Sequence, residues 1–219
     1  SKTSRQFKRG KTPGEIKISR ESPDNVLRRD YGTQVHDLLY RISRNFKQQR
    51  DGATPSEDLA ALKTYAANHE YPVSPKQFDN LVSGVQEIFK EIDRIQKSID
   101  PQGKAEIFLE HIVVDPVKDV GGTMDVLAVF SDNSGMLYDY KTMTQLDAVS
   151  TAKGRDVATR GYVTEAKREA WKLQMSTYKD VLLKRYGVNH IRGTRIVPIW
   201  LDVKAQYTGK KRKLLKSLS

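Results

Sequence analysis

Gly121-Gly-Thr-Met-Asp-Val-Leu-Ala-Val-Phe130, then Ser131-Asp-Asn-Ser-Gly135, then Met136-Leu-Tyr-Asp-Tyr-Lys-Thr142 is the stretch that decides the fold. Gly122 to Phe130 is apolar and rich in strand-forming residues. Ser131 to Gly135 is turn chemistry, and Met136 to Lys141 is strand again, so the segment predicts a β-hairpin. Side chains alternate across a strand, which puts Asp139 and Lys141 on one face and Asp125 on the face of Thr123 and Leu127. A cross-strand partner then brings Asp125 close to Asp139 and Lys141.

Two carboxylates and a lysine in the middle of a buried hairpin need a reason, because buried charge is costly unless it is paired or coordinates a metal. Oxygen ligands suit Mg²⁺ or Mn²⁺, and a lysine beside such an ion can stabilise charge building up on an attacked phosphate. The competing reading is an edge hairpin with an exposed, nearly neutral Asp–Lys pair. The hairpin by itself does not choose between them.

The remaining sequence narrows the choice. At 219 residues the chain is one large domain or two small ones, long enough to bury a proper core. A net charge of +11 and a pI near 9.7 predict a polyanionic partner, nucleic acid before membrane. Without cysteine, a disulfide framework, a thiolate zinc site and an iron–sulfur cluster are all excluded. No apolar run reaches membrane-spanning length and no signal-peptide pattern is visible, so an intracellular location is expected. The chain opens on Ser1 rather than Met, which reads as processing or excision from something longer.

Outward from the hairpin, residues 1–27 read as a basic arm and residues 209–219, with Gly209-Lys-Lys-Arg-Lys213, as a basic tail. Between them, residues 28–208 read as a single domain with a helical insertion at about 54–100. Val35, Leu38, Leu39, Ile42 and Phe46 make a helical stripe with His36 beside it. Thr54-Pro-Ser-Glu57 predicts one helix start, with Thr54 at the N-cap, and Ser74-Pro-Lys-Gln77 predicts another. Ala105 to Val114 reads as a central strand, with Phe108, Ile112 and Val114 on one face and Ile107, Leu109 and Val113 on the other. Glu106 and Glu110 share the first face, so alternation does not choose between them, and His111 falls opposite. Beyond Lys141 a basic loop carries Lys153, Arg155 and Arg160, read either as phosphate contacts beside the site or as plain surface. Val163 to Tyr186 predicts a helix with Ala166, Ala170, Leu173, Thr177 and Val181 on one stripe, Gln174 and Tyr178 together beside it, and Trp171 one turn earlier. Thr194 to Val203 reads as a central strand, except that Pro198 argues for an edge or a bulge.

Gly-Thr-Met-Asp125 followed by Asp139-Tyr-Lys141-Thr resembles the core of the PD-(D/E)XK nuclease superfamily, and in particular its RecB-like branch. Two further stretches join the resemblance: Gly32-Thr-Gln-Val-His36, similar to that branch's N-terminal Gly-x-x-x-His helix, and Gln174-x-x-x-Tyr178 on the helix after the Asp-x-Lys strand. It implies a mixed α/β core, a central sheet flanked by helices with an N-terminal helical part. It implies a deoxyribonuclease using Mg²⁺ or Mn²⁺, as two ions, with exonuclease action expected. Asp125, Asp139 and Lys141 would be catalytic, with Glu110 preferred over Glu106 as the further acid. His36, Glu110, Asp125, Asp139 and Tyr140 would form the metal shell, and Gln174 and Tyr178 would help position the nucleic acid. DNA and proteins of replication, recombination or repair are the implied partners. The alternatives are a cap-snatching type of RNA endonuclease and a catalytically idle nucleic-acid-binding module on the same fold.

Overall fold

A computed structural model describes residues 23–115, 120–144, 165–185 and 187–201. In chain order the elements are α1 (Pro23–Arg50), α2 (Leu59–Asn68), α3 (Pro75–Ile99), β1 (Glu106–Asp115), β2 (Val120–Val129), β3 (Ser134–Thr144), α4 (Glu165–Arg185) and β4 (His190–Leu201). The sheet order is β1-β2-β3-β4: β1, β2 and β3 form an antiparallel meander, and β4 returns parallel to β3. The expected architecture, a mixed sheet flanked by helices with a helical N-terminal part, is what the chain adopts.

Two apolar layers hold the sheet. On one face Tyr31, Val35, Leu38, Leu39 and Ile42 of α1 pack with Leu62 and Ala66 of α2 and with Phe78, Leu81, Val85, Ile88, Phe89 and Ile92 of α3. These meet Ile107 of β1, Val126 and Ala128 of β2, and Tyr138 and Tyr140 of β3. Each fully buried side chain of this kind stabilises by about 1.5–3 kcal/mol, so this larger layer is the anchor. Buried polar residues latch it. The Gln34 amide donates to Tyr71 O at 2.6 Å and accepts from Tyr71 N at 3.2 Å. Gln96 does the same for the β2–β3 turn, donating to Ser131 Oγ and accepting from Ser131 N. On the other face a smaller layer joins Met175, Tyr178, Val181 and Leu182 of α4 to Val113, Met124, Leu127 and Leu137.

Several sequence expectations are corrected. Helix α1 begins at Pro23, inside the expected arm, with the proline at the first position, where its missing N–H has no intrahelical partner to lose. Helix α2 is capped by Asp58, whose carboxylate accepts from Ala61 N, and not by Thr54; Glu57 pairs with Arg41 of α1 instead of closing a capping box. The Ser74 cap is as expected. Strand β1 lies at an edge of the sheet, and Ile112 and Val114 are 66% and 49% exposed. Strand β4 is the other edge, where Pro198 removes no ladder hydrogen bond that a further strand would need. On α4 the buried stripe is Met175, Tyr178, Val181 and Leu182, while Leu173 is 70% exposed. The helix is turned so that Tyr178 faces β2.

Candidate active site

The central feature is a fork in the sheet. Pairing between β2 and β3 ends at Val126 opposite Tyr138, whereas β1–β2 continues to Asp115 opposite Val120 and β3–β4 to Thr144 opposite Leu201. Asp125 and Asp139 stand at the first step past the last β2–β3 pair. There the Asp125 carboxylate, through Oδ2, accepts the Tyr140 backbone N–H, so the acid takes the place of a backbone acceptor.

Alternation breaks at the same level on both strands of one arm of the fork, β1 and β2. Ile107 and Leu109 pack on the α1–α3 side and Phe108 on the α4 side, yet beyond Glu110 it is Val113 that reaches the α4 layer. Glu110 has φ 49°, the left-handed region that side chains rarely adopt, and this flips the strand. The flip explains why Ile112 and Val114 turn to solvent and why His111 stacks edge-on against Phe108 at 5.4 Å rather than opposite it. On β2, Leu127 and Met124 both face α4, so Asp125 does not share a simple face with Leu127 as alternation predicts.

Helix α1 closes one side of the fork. Gly32 lets it approach β3: a Cβ there would lie 3.1 Å from Thr142 Oγ1. Ser43 Oγ and the Tyr140 hydroxyl, 3.2 Å apart and buried, tie the two elements again. This seating places His36 Nδ1 3.7 Å from Asp125 Oδ1. Tyr140 itself sends its ring into the α1–α3 layer, leaving only its main chain toward the acids.

Helix α4 closes the other side through a directional chain of donors. Lys141 Nζ donates to Gln174 Oε1 at 3.2 Å, Gln174 Nε2 to the Tyr178 hydroxyl at 2.9 Å, and that hydroxyl to Thr123 O at 3.2 Å. Each group is used in the only sense that lets all three bonds form. Gly122 makes room: a Cβ on it would sit within 2.9 Å of the Tyr178 ring. Tyr178 is buried, and both senses of its hydroxyl are occupied within the protein.

The electrostatics focus on two carboxyls. Lys141 Nζ lies 2.5 Å from Asp139 Oδ2, an ion pair in which the Asp139 side chain is buried and the lysine is partly exposed. Burial pushes the Asp139 carboxyl above the usual range, against the pull of Lys141 and with the charge of Asp125 adding to it. Glu110 is raised too, by burial first and then by Asp125 and Asp37, with His36 opposing. Asp37 is a group that sequence reading missed; its only signal is its place next to His36. The fork therefore gathers His36, Glu110, Asp125, Asp139, Lys141, Gln174 and Tyr178. Among the described residues no three His, Asp or Glu side chains close into a finished metal cage. Glu106 pairs opposite Val129, four residues from Glu110 and away from the fork. Lys153, Arg155 and Arg160 lie outside the described residues.

Carboxyls gathered at one step of the sheet with a lysine held against one of them form a site suited to a cation and a phosphate. A family model described as the PD-(D/E)XK nuclease superfamily matches residues 10–217. No match is found among curated proteins or among solved structures. The match spans nearly the whole chain: the chain belongs to the PD-(D/E)XK nuclease superfamily.

Proposed function

We propose that this nuclease hydrolyses phosphodiester bonds in DNA with the help of Mg²⁺ or Mn²⁺, acting as an exonuclease of the RecB-like branch. The observation that carries the reading is the convergence at the fork of Asp125 and Asp139, one step past the last pair between β2 and β3, with His36 Nδ1 3.7 Å from Asp125 Oδ1 and Lys141 Nζ 2.5 Å from Asp139 Oδ2. Two buried carboxyls with a single ammonium against one of them are costly to ionise, and a divalent cation would offset that cost. Members of the superfamily generally use such ions, and the donor set fits one: oxygens from Asp125, Asp139 and Glu110, the Tyr140 main chain beside them, and one imidazole from His36. When bound, the metal would supply an activated water and charge neutralisation at the phosphate.

The chain's own residues do the rest. Asp125 is fixed by the Tyr140 N–H, so its other oxygen is the one left to face the site. Lys141, held by Gln174, aims a permanent positive charge where the attacked phosphate gains negative charge. The RecB-like assignment rests on Gln174 and Tyr178, which stand next to the lysine as that branch's motif implies. DNA rather than RNA follows from the same motif. The test is cleavage of linear and circular DNA, single- and double-stranded, and of RNA, with each metal and with chelator. Asp125→Ala and Asp139→Ala abolish cleavage on this reading. Turnover that survives chelation overturns the metal role, circles cut as fast as linear strands overturn exonuclease action, and preferential loss of RNA overturns the DNA assignment.

A further inference from the structure

We propose that the groove between α4 and β4 is a track that grips one strand of nucleic acid by its phosphates, through Lys172 and Lys179, as it passes the acids; the proposal rests on the nuclease reading above. The groove measures about 440 Å³ and is lined by Lys172, Met175, Ser176, Lys179, Thr194 and Ile196. Lys172, Ser176 and Lys179 follow one another at i, i+4 and i+7, so they form a single stripe along α4. At about 1.5 Å per residue the two lysines are separated by about 10 Å along the axis, which lets them take different phosphates. Hydroxyls from Ser176 and Thr194 add neutral donors, and Met175 and Ile196 give an apolar floor for sugar or base. Among the described residues that line the groove there is no carboxylate, and Glu169 stands beside it, paired to Lys172.

Its position links it to the fork. Thr194 and Ile196 pair in parallel with Leu137 and Asp139, so the floor is one strand away from the buried acid. Met175 directly follows Gln174, the residue that holds Lys141. Lys172 pairs with Glu169 at 2.7 Å between exposed side chains, and a phosphate would join as a further acceptor for its three ammonium donors. The Met175 and Ile196 floor can meet the face of a base only where that base is unstacked, which favours a single strand. The charge of +11 supplies the long-range attraction that brings such a strand in.

The experiment measures binding of a long single-stranded oligonucleotide as a function of salt, in chelator so that binding is read apart from cleavage. Wild type is compared with Lys172→Gln/Lys179→Gln and with a charge-matched control, Lys63→Gln/Lys90→Gln, on α2 and α3 on the other side of the sheet. Melting curves of all three check folding, and Lys172→Glu/Lys179→Glu is expected to go further in the same direction. Each single-strand phosphate contact contributes about 0.7 to the log–log salt slope, so the groove variant is expected to lose about 1.4 units and to bind about tenfold or more weakly near 0.1 M salt. The control is expected to keep most of its slope. An unchanged slope in the groove variant, an equal loss in the control, or a wild-type protein that binds no single strand would each overturn the groove. If the groove variant alone loses slope while wild type cleaves nothing, the nuclease reading falls and the groove stands.

Discussion

Glu110 carries a left-handed backbone in the middle of a strand, at the level of Asp125 on β2, where the charge of that acid is felt by its carboxyl. That conformation costs a non-glycine residue about 1–2 kcal/mol. Glu110→Gly is therefore expected to gain about 1 kcal/mol, or roughly 2–4 °C in melting temperature for a chain of this length, while losing Mn²⁺ affinity and cleavage. Glu110→Ala should lose both without the gain. A melting temperature that does not rise in the glycine variant would show the strain to be absent. At Lys141 a different question arises, since the family resemblance hands Gln174 to the nucleic acid and the structure gives its carbonyl to the lysine. Gln174→Leu is expected to cut kcat by about 10- to 100-fold through a misplaced ammonium, with oligonucleotide binding in chelator largely kept. Equal losses in binding and rate would instead return Gln174 to the nucleic acid. The acids and the lysine were legible in sequence because they lie close together on one hairpin. The kink at Glu110 and the seat that Ser43 gives Tyr140 were not, because neither leaves a local pattern.

At the scale of elements, helices and strands were legible where a periodicity was long and uninterrupted, as in α3 with its Ser74 cap and its stripe from Phe78 to Ile92. Strand β1 misled because an apolar run on both faces reads as central, whereas the flip at Glu110 sends its second half outward at a sheet edge. Helix α4 misled because its stripe was chosen by counting apolar residues, and the helix instead turns a tyrosine toward β2. That choice depends on Gly122. Gly122→Ala would drive a methyl into the Tyr178 ring and is expected to cost about 1–3 kcal/mol, as overpacking does. Combined with Tyr178→Ala, the alanine at 122 should add almost nothing, and a double-mutant cycle by urea denaturation reads the difference. Additive losses would mean that Gly122 matters for the strand itself and not for the seat of α4.

At the scale of the whole molecule, the change of stability with pH reflects two groups of carboxyls among the described residues that titrate in opposite senses. In the outer framework, Asp51 is held below its usual range by Lys47 and Lys104, Glu57 by Arg41, and Asp132 is brought down to about 2 by Ser134 and Arg192. Their contribution is present above the ordinary carboxylate pKa and is lost as pH falls through the lowered values. Glu110 and Asp139 at the fork are raised instead, by burial and by the charge of Asp125. Their contribution is complete below the ordinary pKa of about 4 and is lost as pH rises through the folded-state value, when the site becomes crowded with desolvated negative charge. In chelator, the melting temperature is therefore expected to peak on the acid side of neutrality and then decline, more steeply in wild type than in Glu110→Gln/Asp139→Asn, which removes both titrations. Mn²⁺ binds only the charged forms, so the upward shift it causes should grow as pH rises over the same interval, with protons released on binding. Differential scanning calorimetry across pH, with and without Mn²⁺, reads both effects. A decline of equal slope in the two proteins, or a Mn²⁺ shift independent of pH, would mean that the raised carboxyls at the fork are not where the metal binds.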